Sequence, residues 1–125
     1  MNLLLDTHVL LWWLDDHKAL SAKARRAIRD GRNTVFVSAA TAWEISIKQA
    51  LGTLQAPDDL EDALAANRFR PLLIAPHHAM AAGRLPRHHD DPFDRMLVAQ
   101  TQAERLTLVT NDAQLSRYSV PILWS

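Results

Sequence analysis

Cysteine is absent from the 125-residue chain, which excludes disulfides, iron–sulfur clusters and thiolate zinc sites. Its absence fits a reducing compartment, and a cytoplasmic location is expected. Glycine occurs three times, at Gly31, Gly52 and Gly83, and nowhere forms a phosphate-cradling loop, which weighs against nucleotide binding. No apolar run approaches the ~18 residues of a membrane span. No basic segment leads into an apolar one at the start, so no secretory signal is expected. Formal net charge is zero, from 14 basic and 14 acidic residues, and gives no bulk electrostatic argument for nucleic acid. The pairs His77-His78 and His88-His89 lack the H-x-x-x-H or H-E-x-x-H spacing of zinc helices. Adjacent residues on a helix or strand point apart, so neither pair is expected to converge on a metal. No G-x-S-x-G elbow surrounds Ser38, which removes the serine-hydrolase reading.

What is present suggests one domain, residues 1–125, with 48% hydrophobic residues and enough length to bury a core. Leu3-Leu4-Leu5 is a short, wholly apolar run that stops at Asp6. Such a run reads as a strand buried on both faces of a parallel sheet. Further strands are expected at Thr34–Val37, Pro71–Ile74 and Leu106–Val109, with Val120–Leu123 an edge strand at most because of Pro121. Helices are expected between them: Val9–Leu14, Ser21 to Ile28, Ala39–Leu51, a stretch opened by Pro57-Asp58-Asp59, another opened by Pro76, and a long one from Asp91-Pro92 to about Arg105. The alternation predicts an α/β fold, with a mostly parallel sheet covered by helices on both faces.

Two features point outward. Val9–Leu14 is apolar all round, and one core is not expected to absorb both Trp12 and Trp13, so a partner interface is expected there. Eleven of the fourteen basic residues are arginine, the better bidentate phosphate ligand, and Arg25, Arg26, Arg29 and Arg32 share one segment. A solvated helix face is the more ordinary explanation of that cluster.

Four acids carry the functional argument, and each has a structural explanation by itself. Asp6 and Asp112 follow strands, where either could cap a helix. Glu44 could pair with Lys48 one turn on; it shares a helix face with Trp43, Ile47 and Leu51, beside the expected buried stripe. In Asp91-Pro92-Phe93-Asp94, Asp91 reads as the cap and Asp94 as half of a capping box. Taken together, all four fall on the carboxyl rim of a parallel sheet, where ligands bind. Clustered carboxylates raise one another's pKa and destabilise the fold unless a cation joins them. An all-oxygen set suits Mg²⁺ or Mn²⁺, which activates water as hydroxide and steadies charge on a phosphoryl oxygen. Phosphodiester hydrolysis fits.

The segments that carry these acids also resemble a known family. Leu3-Leu4-Leu5-Asp6-Thr7-His8, Val37–Ile45, His89–Gln100 and Leu108–Asp112 are similar, in order, to the motifs of PIN-domain ribonucleases, specifically VapC-type toxins of toxin–antitoxin pairs. The resemblance implies a compact three-layer α/β/α fold and a Mg²⁺- or Mn²⁺-dependent endoribonuclease. It implies Asp6, Glu44, Asp94 and Asp112 as catalytic metal ligands, with Thr110 near the metal and Asp91 as a supporting acid. It also implies a homodimer and an antitoxin that blocks the site. Arg25, Arg26, Arg29 and Arg95 are candidates for holding an RNA backbone. The alternatives are a DNA nuclease or phosphatase with a similar acidic rim, and a non-catalytic binding module whose acids are caps.

Overall fold

The computed structural model describes all 125 residues, Met1–Ser125. Five strands alternate with helices: β1 (Asn2–Leu5), α1 (Thr7–Leu14), α2 (Ala22–Arg29), β2 (Thr34–Ser38), α3 (Ala39–Ala50), α4 (Leu60–Ala66), β3 (Arg70–Leu72), α5 (Pro76–Arg84), α6 (Pro92–Glu104), β4 (Thr107–Thr110), a 3-10 turn (Ala113–Arg117) and β5 (Ile122–Trp124). All strand pairings are parallel, in the order β3-β2-β1-β4-β5. The predicted α/β/α layering is what the chain adopts.

The layers follow from side-chain alternation along the strands. Leu3, Leu5, Val35, Val37, Val109 and Leu123 join a core with Val9 and Leu10 of α1, Ala24 and Ile28 of α2, and Ile45 of α3. Leu4 and Leu108 join Leu97 and Val98 of α6 in a second core. Leu3, Leu4 and Leu5 are fully buried, each worth about 2 kcal/mol of transfer free energy. Strand order runs one way from β1 to β3 and then reverses, with β4 on the other side of β1. The reversal opens a crevice at the carboxyl ends of β1 and β4.

Two features depart from expectation, the end of β3 and the buried face of α3. β3 ends at Leu72 rather than Ile74, because Leu73 is 73% exposed beyond the sheet edge. α3 buries Thr41, Glu44 and Ile45, not the Trp43–Leu51 stripe. Thr7 draws Glu44 inward by a hydrogen bond, while Trp43 stays 62% exposed and meets Phe93 edge-on at the rim. The chain after α3 turns through Gly52, whose φ of 73° belongs to the left-handed region that glycine enters freely.

The tryptophans are divided. Trp13 lies over Phe69 and donates through Nε1 to Asn67 Oδ1 at 2.9 Å, so its own chain takes up much of it. Trp12 stacks on His17 and lines a groove of about 440 Å³ with His8, Leu11, Leu14 and Leu54. No helix is long and apolar enough to cross a membrane.

Candidate metal centre

Each acid reaches the rim for a local reason. Asp6 ends β1 and caps α1: Oδ1 accepts the Val9 N–H at 2.8 Å. Its Oδ2 accepts the Thr110 hydroxyl at 2.5 Å, and Thr110 Oγ1 accepts the Asp112 N–H at 3.0 Å. Asp112 caps the 3-10 turn through Oδ1, which accepts the Gln114 N–H at 2.9 Å. Glu44 comes from the first turns of α3, where Oε1 accepts the Thr7 hydroxyl at 2.6 Å and Oε2 meets Lys48 Nζ at 2.7 Å. Asp91 caps α6 by accepting the Phe93 and Asp94 N–H groups.

Asp94 does not close the expected capping box. The Asp91 N–H donates instead to His89 Nδ1 at 3.1 Å, and Asp94 Oδ2 turns to His89 Nε2 at 3.1 Å. That frees Asp94 for the crevice.

A cavity of about 100 Å³ is lined by Asp6, Glu44, Asp91, Asp94 and Asp112, with Thr7, His8, Lys48 and Asn111. Five carboxylates thus face one ammonium. Burial raises the Asp6 carboxyl above its ordinary value, against the hydrogen bonds from Thr110 and Val9. Burial, then the charge of Asp91, pushes Asp94 up to about 7; His89 opposes the shift, and Asp6 and Glu44 add to it. Lys48 is held above its usual range by the hydrogen bond to Glu44. This carboxylate-rich cavity, short of positive charge, fits a small hard divalent cation. Asp6, Glu44, Asp94 and Asp112 are the residues that could hold it.

His89 is the group that reading the sequence missed. Its Nε2 lies 3.0 Å from Asp112 Oδ2 and 3.1 Å from Asp94 Oδ2. Because Nδ1 accepts the Asp91 N–H, the ring proton belongs on Nε2, which makes His89 a donor to both acids rather than a metal ligand. The legible signal was its place two residues ahead of the Asp91 cap. His8, by contrast, is exposed at the mouth. The other pair also departs from expectation: the His77 and His78 rings face each other at 4.2 Å, with Glu104 alongside. His78 Nδ1 accepts the Ala75 N–H at 2.9 Å, so its Nε2 carries the proton and is likewise unsuited to a metal.

None of the arginines considered for holding an RNA backbone lines the acidic cavity. Arg95 donates to the carbonyls of Ala82, Leu85, Pro86 and His89, which fastens the 85–91 loop and leaves little of its guanidinium for a phosphate. Arg25 is tied to Asp16 and to the His17 carbonyl. Arg26 and Arg29 are exposed on α2, and Arg29 ends that helix at the amino end of β2, across the sheet from the acids.

Residues 3–121 match the family model of the PIN domain. The chain belongs to the PIN-domain family. As a PIN domain it is also similar to several solved structures. DNA-bound VapBC2 from Rickettsia felis superposes with a TM-score of 0.74 at 16% identity, covering 99% of this chain and 98% of that one. DNA-bound VapBC from Salmonella typhimurium gives 0.72 at 17%, again covering 99% and 98%. A toxin–antitoxin complex from Klebsiella pneumoniae gives 0.62 at 19%, covering 96% and 94%. At these identities the likeness concerns the fold. No curated protein matches the sequence.

Proposed function

We propose that this PIN domain is a VapC-type toxin, a Mg²⁺- or Mn²⁺-dependent endoribonuclease controlled by an antitoxin. The observation that carries the reading is the meeting of Asp6, Glu44, Asp94 and Asp112, from four separate segments, in one cavity of about 100 Å³. Such a crowd of carboxylates is costly without a divalent cation. When bound, the cation would acidify water and neutralise charge on a phosphate oxygen.

The chain's own residues supply the rest. Asp6 is fixed by the Val9 amide and the Thr110 hydroxyl, so its oxygens keep one orientation. Glu44 is held between Thr7 and Lys48. His89 keeps Asp94 and Asp112 side by side. Asp91 supports Asp94 by capping α6. With water attacking an RNA phosphate and the 3′-oxygen leaving, the product carries a 5′-phosphate. The similar solved complexes pair related folds with antitoxins, which supports an antitoxin partner here. The groove lined by Trp12 adjoins the acidic cavity through His8, and is the surface proposed for that partner. A homodimer is part of the same proposal.

Asp6→Asn tests the reading. Its amide oxygen can still cap α1, so the fold should survive while RNA cleavage in Mg²⁺ or Mn²⁺ is lost. Undiminished cleavage by the purified variant, or cleavage by the wild type of DNA alone, would overturn it.

A further inference from the structure

We infer a second nucleic-acid contact at the amino end of the sheet, a phosphate-binding pocket formed by Arg29, Arg68 and Arg70. The inference rests on the ribonuclease reading for its choice of RNA. A pocket of about 310 Å³ opens where α2 ends, α4 turns into β3, and β2 begins. These three arginines line it from two separate crossovers. All three are exposed, and none has an ion-pair or side-chain hydrogen-bond partner within the chain.

The pocket's one acid cannot neutralise them. Asp30 is engaged by Arg32, whose Nε and Nη2 lie 3.1 and 2.8 Å from its two oxygens. The remaining polar lining is neutral. Asn33 and Asn67 direct their amide N–H groups to the backbone carbonyls of Ala27 and Ala63. Arg68 also has a φ of 59°, a backbone region that favours glycine or asparagine.

Three guanidiniums facing one concavity, with no free carboxylate among them, match phosphate oxygens in charge and geometry. A strand of four residues covers about 13 Å, so this pocket and the acidic cavity occupy opposite ends of the sheet. The pocket therefore grips RNA far from the bond that is cut. It adds affinity for long chains and nothing to the chemistry on short ones.

The experiment compares Arg29→Gln/Arg68→Gln/Arg70→Gln with the parent protein, both carrying Asp6→Asn to block cleavage. Fluorescence anisotropy is read with an unstructured RNA of about 20 nucleotides across a salt series. Each released phosphate contact contributes about 0.7 to the slope of log affinity against log salt for single strands, so the triple variant should lose about 2. Affinity at low salt should drop at least ~10-fold. With Asp6 restored, cleavage of a dinucleotide, too short to reach the pocket, should be unchanged. An Arg→Lys triple variant should keep the slope, which separates charge from folding. An unchanged slope with the RNA, or an equal loss of dinucleotide cleavage, would overturn the pocket. A slope loss confined to a DNA duplex would overturn RNA as its ligand. If the wild type cleaves no RNA but the slope still falls, the pocket stands and the ribonuclease reading fails.

Discussion

The Thr110 hydroxyl donates to Asp6 Oδ2 at 2.5 Å, joining residues 104 apart in the chain across the reversal point of the sheet. Thr110 Oγ1 in turn accepts the Asp112 N–H, so one threonine orients two acids. Thr110→Val keeps the shape and removes both bonds. It should destabilise the protein by about 1–3 kcal/mol through the unpaired, buried Asp6 oxygen. Mn²⁺ affinity should fall about 10- to 100-fold, as when a partner holding a metal ligand is lost. Calorimetric titration measures this; wild-type affinity in Thr110→Val would show that Asp6 orients itself.

Asp94 makes the metal-free protein sensitive to pH. Its carboxyl is raised from the ordinary 3.8 to about 7, so the folded state holds that proton more tightly than the unfolded chain. This contribution is fully present below the unfolded value and disappears as pH rises through about 7. In EDTA, Tm should fall between about pH 5 and pH 8, and Asp94→Asn should flatten the fall. Near pH 7 the cation should displace the proton, so the binding heat will depend on the buffer's ionisation enthalpy. A Tm that rises over this window would contradict the assignment.

His89 offers one N–H to two carboxylates. In EDTA above about pH 7, where Asp94 is charged, His89→Ala should cost about 1–3 kcal/mol, because Asp94 and Asp112 then repel without a shared donor. His89→Gln, whose amide N–H reaches a similar place, should recover part of the loss. Saturating Mn²⁺ should narrow the gap between the variants, since the cation takes over the screening. Equal melting of wild type and His89→Ala in EDTA would remove His89 from the site.

Arg95 is expected to act as an anchor. Arg95→Ala removes the side-chain donor from four carbonyls, leaving those of Leu85 and His89 without a partner while Pro86 keeps the Tyr118 hydroxyl and Ala82 the Leu85 N–H, and should cost about 2–4 kcal/mol. Lysine should not rescue it, because a point-like ammonium cannot span the positions a planar fork reaches. An unchanged Tm with weakened RNA binding would instead reinstate Arg95 as a phosphate ligand.

The sequence alone determined the layer order and the four acids. Leu3–Leu5, short and wholly apolar, has the pattern of a strand buried on both faces, and a parallel sheet of such strands delivers Asp6 and Asp112 to one edge. Pro92 fixed the start of α6, and with it the level of Asp94. These are short-range constraints, written in spacing and residue type. The tertiary structure decided what depends on neighbours distant in the chain. Glu44 rather than Trp43 faces inward because Thr7 waits there, 37 residues earlier. His89 became a bridge because the Asp91 amide fixed its tautomer while Asp94 and Asp112 converged on its far nitrogen. The arginines separated because α2 carries Arg29 across the sheet to its amino end, while α6 turns Arg95 onto a ring of carbonyls. A side chain's hydrogen-bond partners are set by packing, and packing exists only once the strands have taken their order.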